Sequence, residues 1–74
     1  MPSVPKHRRI LGDAIRKYRN GMGLTQETLA EKAGLSVVFV SLLENGHRTV
    51  SADALLNIAR ALKVELKDLV RDVK

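Results

Sequence analysis

Between Thr25 and Gly46 the sequence TQETLAEKAGLSVVFVSLLENG leaves room for two short helices and almost none for a loop between them. Thr25 stands where its hydroxyl can accept one of the free backbone N–H groups of a helix start. Leu29 and Ala30 form the buried side of that helix. Gly34 falls where the chain must turn sharply, and Ser36 follows as the cap of the next helix, which runs to Gly46. Any fold open to this chain has to seat these two helices against each other within a few residues of Gly34.

The rest of the sequence is punctuated in the same way. A first helix runs from Lys6 or from Ile10 to Asn20, with Leu11, Ile15 and Tyr18 at helical spacing and Arg16, Lys17 and Arg19 facing outward. The GMG at 21–23 ends it, since glycine tolerates a left-handed helix stop. Ser51 caps a fourth helix, with Asp53 in its first turn favourably placed against the helix dipole and Leu55, Ile58, Ala59 and Leu62 as its inward stripe. A last helix spans about Glu65 to Asp72 and carries Leu66, Leu69, Val70 and Val73. No stretch reads as a strand, so the expectation is an all-α, five-helix domain. Seventy-four residues make one domain near the lower limit for a self-sufficient core. With no cysteine to staple it, packing must suffice, helped by dimerisation.

Charge is placed unevenly. Residues 1–19 hold Lys6, Arg8, Arg9, Arg16, Lys17 and Arg19 against Asp13 alone, so the whole net charge of +5 lies there and the remainder is neutral. A polyanion would feel this end first, although a solvated arm that aids solubility has the same composition. Residues 1–9 read as a basic arm and 10–74 as the folded domain. Catalysis is poorly supported. His7 and His47 lie in the arm and in a loop among basic residues, and no Gly-rich phosphate loop or metal-ligand spacing accompanies them. No metal or cofactor is expected. No apolar run approaches the ~20 residues that span a bilayer, and MPSVPKHRR lacks the apolar core of a secretory signal. The expected compartment is the cytoplasm.

Four short motifs, in order, are more specific than any of these: Leu24-Thr25-Gln26, Leu29-Ala30, Gly34-Leu35-Ser36 and Glu44-Asn45-Gly46. Together with SADALLNIARALKV they resemble the helix-turn-helix of the Cro/phage-repressor (XRE) family, which includes restriction–modification controller proteins. The resemblance covers about residues 10–70, with the motif itself at about 25–45, and it implies a lambda-repressor-like fold. Ala30 would be small because the two motif helices cross closely there. Val40 and Leu43, three apart on the third helix, can both face the core.

What the resemblance implies is a transcriptional regulator that binds a pseudo-palindromic site on double-stranded DNA as a homodimer. Gln26 matches a residue that binds phosphate and braces the recognition helix. Ser36, Val37, Val38, Ser41, Leu42 and Asn45 match groove-facing positions, and Arg48 and Thr49 match a loop that holds the DNA backbone. Lys6, Arg8, Arg9 and Lys17 would track phosphates, unless the arm is a free tail. Arg19 and Glu44 match a pair that ties the first helix to the recognition helix. Leu66, Val70 and Val73 exceed what a short terminal helix needs and mark the expected dimer interface.

The sequence departs from the family at Val37, Val38 and Leu42. Apolar side chains make no bidentate hydrogen bonds to guanine or adenine, but they can pack on the thymine methyl. Phe39 stands where the family often has tyrosine. An outward apolar strip is also the mark of a partner surface, as in an antitoxin, where the third helix would dock a protein. A third possibility keeps Val38 and Phe39 partly in the core and leaves Val37 and Leu42 outside.

Overall fold

The computed structural model describes residues 4–73, so the arm's first three residues and Lys74 lie outside the described residues. Within it the chain forms α1 (Lys6–Gly21), α2 (Gln26–Ala33), α3 (Val37–Glu44), α4 (Ala52–Ala61) and α5 (Leu66–Val70), with no strand among the described residues.

Local chemistry sets most of the boundaries. Thr25 Oγ1 accepts from Thr28 N at 3.0 Å, Ser36 Oγ from Phe39 N at 3.0 Å and Ser51 Oγ from Ala54 N at 3.1 Å. Each bond satisfies a donor that the helix itself leaves unpaired. Gly34 ends α2 in the left-handed conformation, φ 70°. There Leu35 N donates to Ala30 O at 2.8 Å and Gly34 N to Glu31 O at 3.3 Å, the paired closure that turns the chain straight into the Ser36 cap. Lys63, at φ 57°, takes the corresponding left-handed place after α4 without being glycine.

One boundary settles a reading that the sequence left open and another differs from it. Of the two starts left open for α1, the helix takes the earlier one, so Lys6, Arg8 and Arg9 are helical and not part of an extended arm. Pro5 explains this. Its carbonyl accepts from Arg8 N and Arg9 N, both at 3.1 Å, while its own missing N–H costs nothing at a helix start. At the other end α5 stops at Val70, not at Asp72, where Val73 N bonds Val70 O at 3.0 Å and tightens the last turn.

The core gathers Ile15, Leu29, Ala30, Ala33, Val40, Leu43, Ile58, Ala59, Leu62 and Leu69, with Leu11, Tyr18, Phe39 and Leu55 packed against it. Helix α2 packs on α3 and α4, α1 covers α3, and α5 closes onto α1 and α4. Ala30 and Ala33 are both buried, so small side chains occupy the α2 face that meets its neighbours. The result holds α3 from two sides and leaves its third side outward.

Candidate nucleic-acid interface

Glu44 is the last residue of α3, and its side chain is fully buried. An unpaired carboxylate there would be costly, and this one is paired several times over. Arg19 Nε donates to Oε2 at 2.7 Å and Arg19 Nη2 to Oε1 at 3.1 Å, a bidentate contact from α1. Gln26 Nε2 donates to Oε1 at 3.1 Å from the first position of α2. Arg16 Nε approaches Oε1 at 3.6 Å. Arg19 Nη1 also donates to Leu24 O at 2.8 Å, in the link between α1 and α2. One carboxylate therefore joins three helices and fixes how α3 is presented.

Two of these partners correct the sequence reading. Arg16 and Arg19 do not simply face outward: Arg19 is 12% exposed in its side chain, and both guanidiniums turn toward Glu44. Gln26 turns one amide N–H inward to Glu44, which is the bracing part of the role expected of it. Arg16 Nη2 further donates to Glu44 O at 3.2 Å and to Asn45 Oδ1 at 2.9 Å. Asn45 Nδ2 in turn donates to Ser41 O at 3.0 Å. Asn45 is exposed, yet both ends of its amide are engaged within the chain.

Gly12 is the residue that sequence reasoning passed over. It is buried, and a Cβ there would lie 2.5 Å from Glu44 O and 2.6 Å from Leu43 O. Glycine lets the backbone of α1 lie directly on the carboxyl end of α3. A helical glycine in the stripe between Leu11 and Ile15 was the available signal, since it costs a helix stability unless packing needs it.

The outward side of α3 carries Val37 (39% exposed) and Val38 (65%), with Ser41 and Leu42 half-buried beside them. Phe39 turns inward onto the core while Val38 does not, so the two part company. Ser36 is exposed but spends its oxygen on the cap.

The basic residues divide. Arg8 and His7 at the start of α1 line a hollow of about 230 Å³ together with Leu11, Arg48, Thr49 and Val50. The start of α1 and the loop after α3 thus meet, and the backbone of Arg9 also comes close to where a Gly46 Cβ would stand. Lys17 lies elsewhere, in a hollow between α1 and α5 lined by Asp13, Asp68, Arg71 and Asp72. Lys6 borders a second hollow on that side with Ile10 and Asp72. Helical geometry separates them: nine residues at about 100° each put Lys17 opposite Arg8, whereas Lys6 and Lys17 nearly eclipse. The four cations expected to act together do not form one strip. Leu66 and Val73 are half-buried and Val70 is 37% exposed; Leu56 on α4, which the sequence reading did not single out, is as exposed as Val37.

Among the described residues no group of histidines and carboxylates could hold a metal, and no helix is long and apolar enough to cross a membrane.

Two short helices hinged at a left-handed glycine, with the second clamped at its end and open along one side, define a helix-turn-helix domain. The helix-turn-helix family model matches residues 15–69, and the chain belongs to that family, of the Cro/repressor (XRE) type. It is 36% identical over 61 residues to the control protein C.SmaI of Serratia marcescens, covering 82% of this chain and 73% of that one. A propionyl-CoA carboxylase regulator of Cereibacter sphaeroides is 38% identical over 58 residues; this is 78% of the chain but only 13% of that relative's length. Among solved structures, the restriction-modification controller protein C.AhdI from Aeromonas hydrophila superposes with a TM-score of 0.81 at 39% identity. That match covers 82% of this chain and 92% of C.AhdI.

Proposed function

We propose that the chain is a sequence-specific transcriptional regulator that acts in the cytoplasm and binds a pseudo-palindromic operator on double-stranded DNA as a homodimer. The observation that carries this reading is the clamp on α3. A buried carboxylate with donors from two other helices holds a short helix whose outward side is left open. Arg8 and Arg48 line one hollow beyond the end of that helix, where they can hold phosphates while α3 enters the groove. The relatives named as control and regulator proteins support the same role. Ser36, Val37, Val38, Ser41, Leu42, Asn45 and Thr49 would lie along the DNA. Lys6 and Lys17, on the far side of α1, are left out of this contact. No cofactor is needed for it.

Selection of duplexes from a random pool tests the proposal, with an enriched inverted repeat as the expected result. Affinity for that duplex should fall linearly in a plot of log affinity against log salt. Arg48→Ala should weaken all duplexes alike and lower the slope by about 0.9, the share of one phosphate. An affinity that ignores salt would remove the DNA reading.

Two half-sites one turn apart need recognition helices about 34 Å apart, hence two copies of the chain. Val70 is the exposed apolar residue of α5 and the centre of the proposed seam, with Leu66 and Val73 beside it. In sedimentation Val70→Asp should shift the dimer to monomer, with its helical circular dichroism unchanged. A wild-type chain that is already monomeric at about 100 μM would put the seam elsewhere, since dimers weaker than this gain less than roughly 5.5 kcal/mol.

A further inference from the structure

The outward side of α3 is poor in free hydrogen-bonding groups. Ser36 Oγ accepts from Phe39 N, and the Asn45 amide is engaged at both ends, by Arg16 and by Ser41 O. The Gln26 amide N–H is turned to Glu44. The hydroxyls of Ser36 and Ser41 and the second N–H of the Asn45 and Gln26 amides stay free; a hydroxyl can donate or accept and so meets the O4 of thymine or the N4 amine of cytosine equally well. What α3 does hold out is hydrocarbon, chiefly Val38 and Val37.

Resting on the DNA-binding reading above, we infer that α3 recognises the pyrimidine C5-methyl group itself, on thymine or on 5-methylcytosine, so that C5-methylation of cytosine within the operator raises affinity. Both methyls sit on the same carbon at the same edge of the major groove. The pairs differ beside it in O4 against an N4 amine and, on the purine, in an N6 amine against O6, while the most exposed side chains of α3, Val38 and Val37, have no donor or acceptor to spend on that difference. Burying one methyl against valine is worth about fourfold in affinity, the equivalent of roughly 0.8 kcal/mol at ~1.4 kcal/mol per tenfold. Charge favours DNA over an apolar protein partner as the occupant. The excess charge of +5 lies in residues 1–19, and Arg8 and Arg48 line one hollow beyond the end of the same helix.

The test uses the whole chain and the duplex enriched from a random pool, remade in three forms. In the first each thymine is replaced in turn by uracil. In the second a T·A pair found sensitive to uracil becomes C·G, and in the third it becomes 5-methylcytosine·G. Uracil should weaken binding about fourfold at each sensitive position, C·G should weaken it at least as much, and 5-methylcytosine·G should recover most of the loss. Val38→Ser should bring the thymine and uracil forms within about twofold of each other. Val38 is largely exposed, so circular dichroism should show its fold intact. The inference is overturned if uracil binds as well as thymine at every position, or if 5-methylcytosine binds no better than cytosine. In either case an enriched duplex leaves the DNA-binding reading standing. Failure to enrich any duplex removes that reading, and a protein ligand held through Val38 would then replace both.

Discussion

Glu44→Ala should destabilise the chain by about 3–5 kcal/mol, the range for removing one member of a buried ion pair. The loss is large because the carboxylate is fully buried and its main partner nearly so, at 12% exposure. The cost has two parts. The guanidinium of Arg19 loses a bidentate acceptor and keeps only Leu24 O, and a Gln26 N–H is left facing a void. A domain of this size has in total roughly 4–10 kcal/mol of stability, so the loss takes a large share of it and should lower the urea midpoint in proportion. Glu44→Gln keeps the shape and one acceptor oxygen and should lose less. The consequence for function is separate and testable: in a partly folded variant α3 has lost its anchor to α1 and α2, and specific binding should fall before helical content does. A loss below about 1 kcal/mol would mean that solvent already screens the pair, as it does for exposed ion pairs.

Gly12→Ala should destabilise by about 2–3 kcal/mol although alanine is the better helix former by roughly 1 kcal/mol. The added carbon would meet two backbone oxygens, 2.5 and 2.6 Å away, and neither can rotate aside as a side-chain tip would. Helix α1 would have to lift off the end of α3, stretching the Arg19–Glu44 contact with it. Gly21 supplies the control. It lies at the other end of the same helix with nothing within 4 Å of its Cβ position, so Gly21→Ala should stabilise by about 0.5–1 kcal/mol. Opposite signs from the same substitution in one helix would isolate the close approach as the cause. If Gly12→Ala were neutral in urea denaturation, α1 could not be resting on α3 as described.

Much of the architecture was legible from residue order. Thr25, Ser36 and Ser51 each cap the helix expected of them, and Gly34 makes the turn between α2 and α3. These features rest on hydrogen bonds between residues three to five apart, so the local sequence contains both partners. Helical spacing likewise marked Ile15, Leu29, Val40, Leu43, Ile58 and Leu62 for the interior. The start of α1 stayed open because Lys6 and Ile10 are both acceptable helix residues, and only Pro5, as acceptor for two N–H groups, decides between them.

Tertiary structure decided what the helices present. Arg16 and Lys17 are neighbours of the same charge, yet one turns to Glu44, 28 residues away, and the other lines the hollow between α1 and α5. Val38 and Phe39 are adjacent and both apolar, yet one is held out and the other packs inward. Gly12 acquires its meaning only from the carbonyls of Leu43 and Glu44. The amides of Gln26 and Asn45 match contact positions by residue type, but only the fold shows that each also spends part of its hydrogen-bonding capacity within the chain. Periodicity says which side of a helix is apolar. It does not say which distant carboxylate or backbone will lie against the other sides, because that depends on how helices separated by tens of residues pack together.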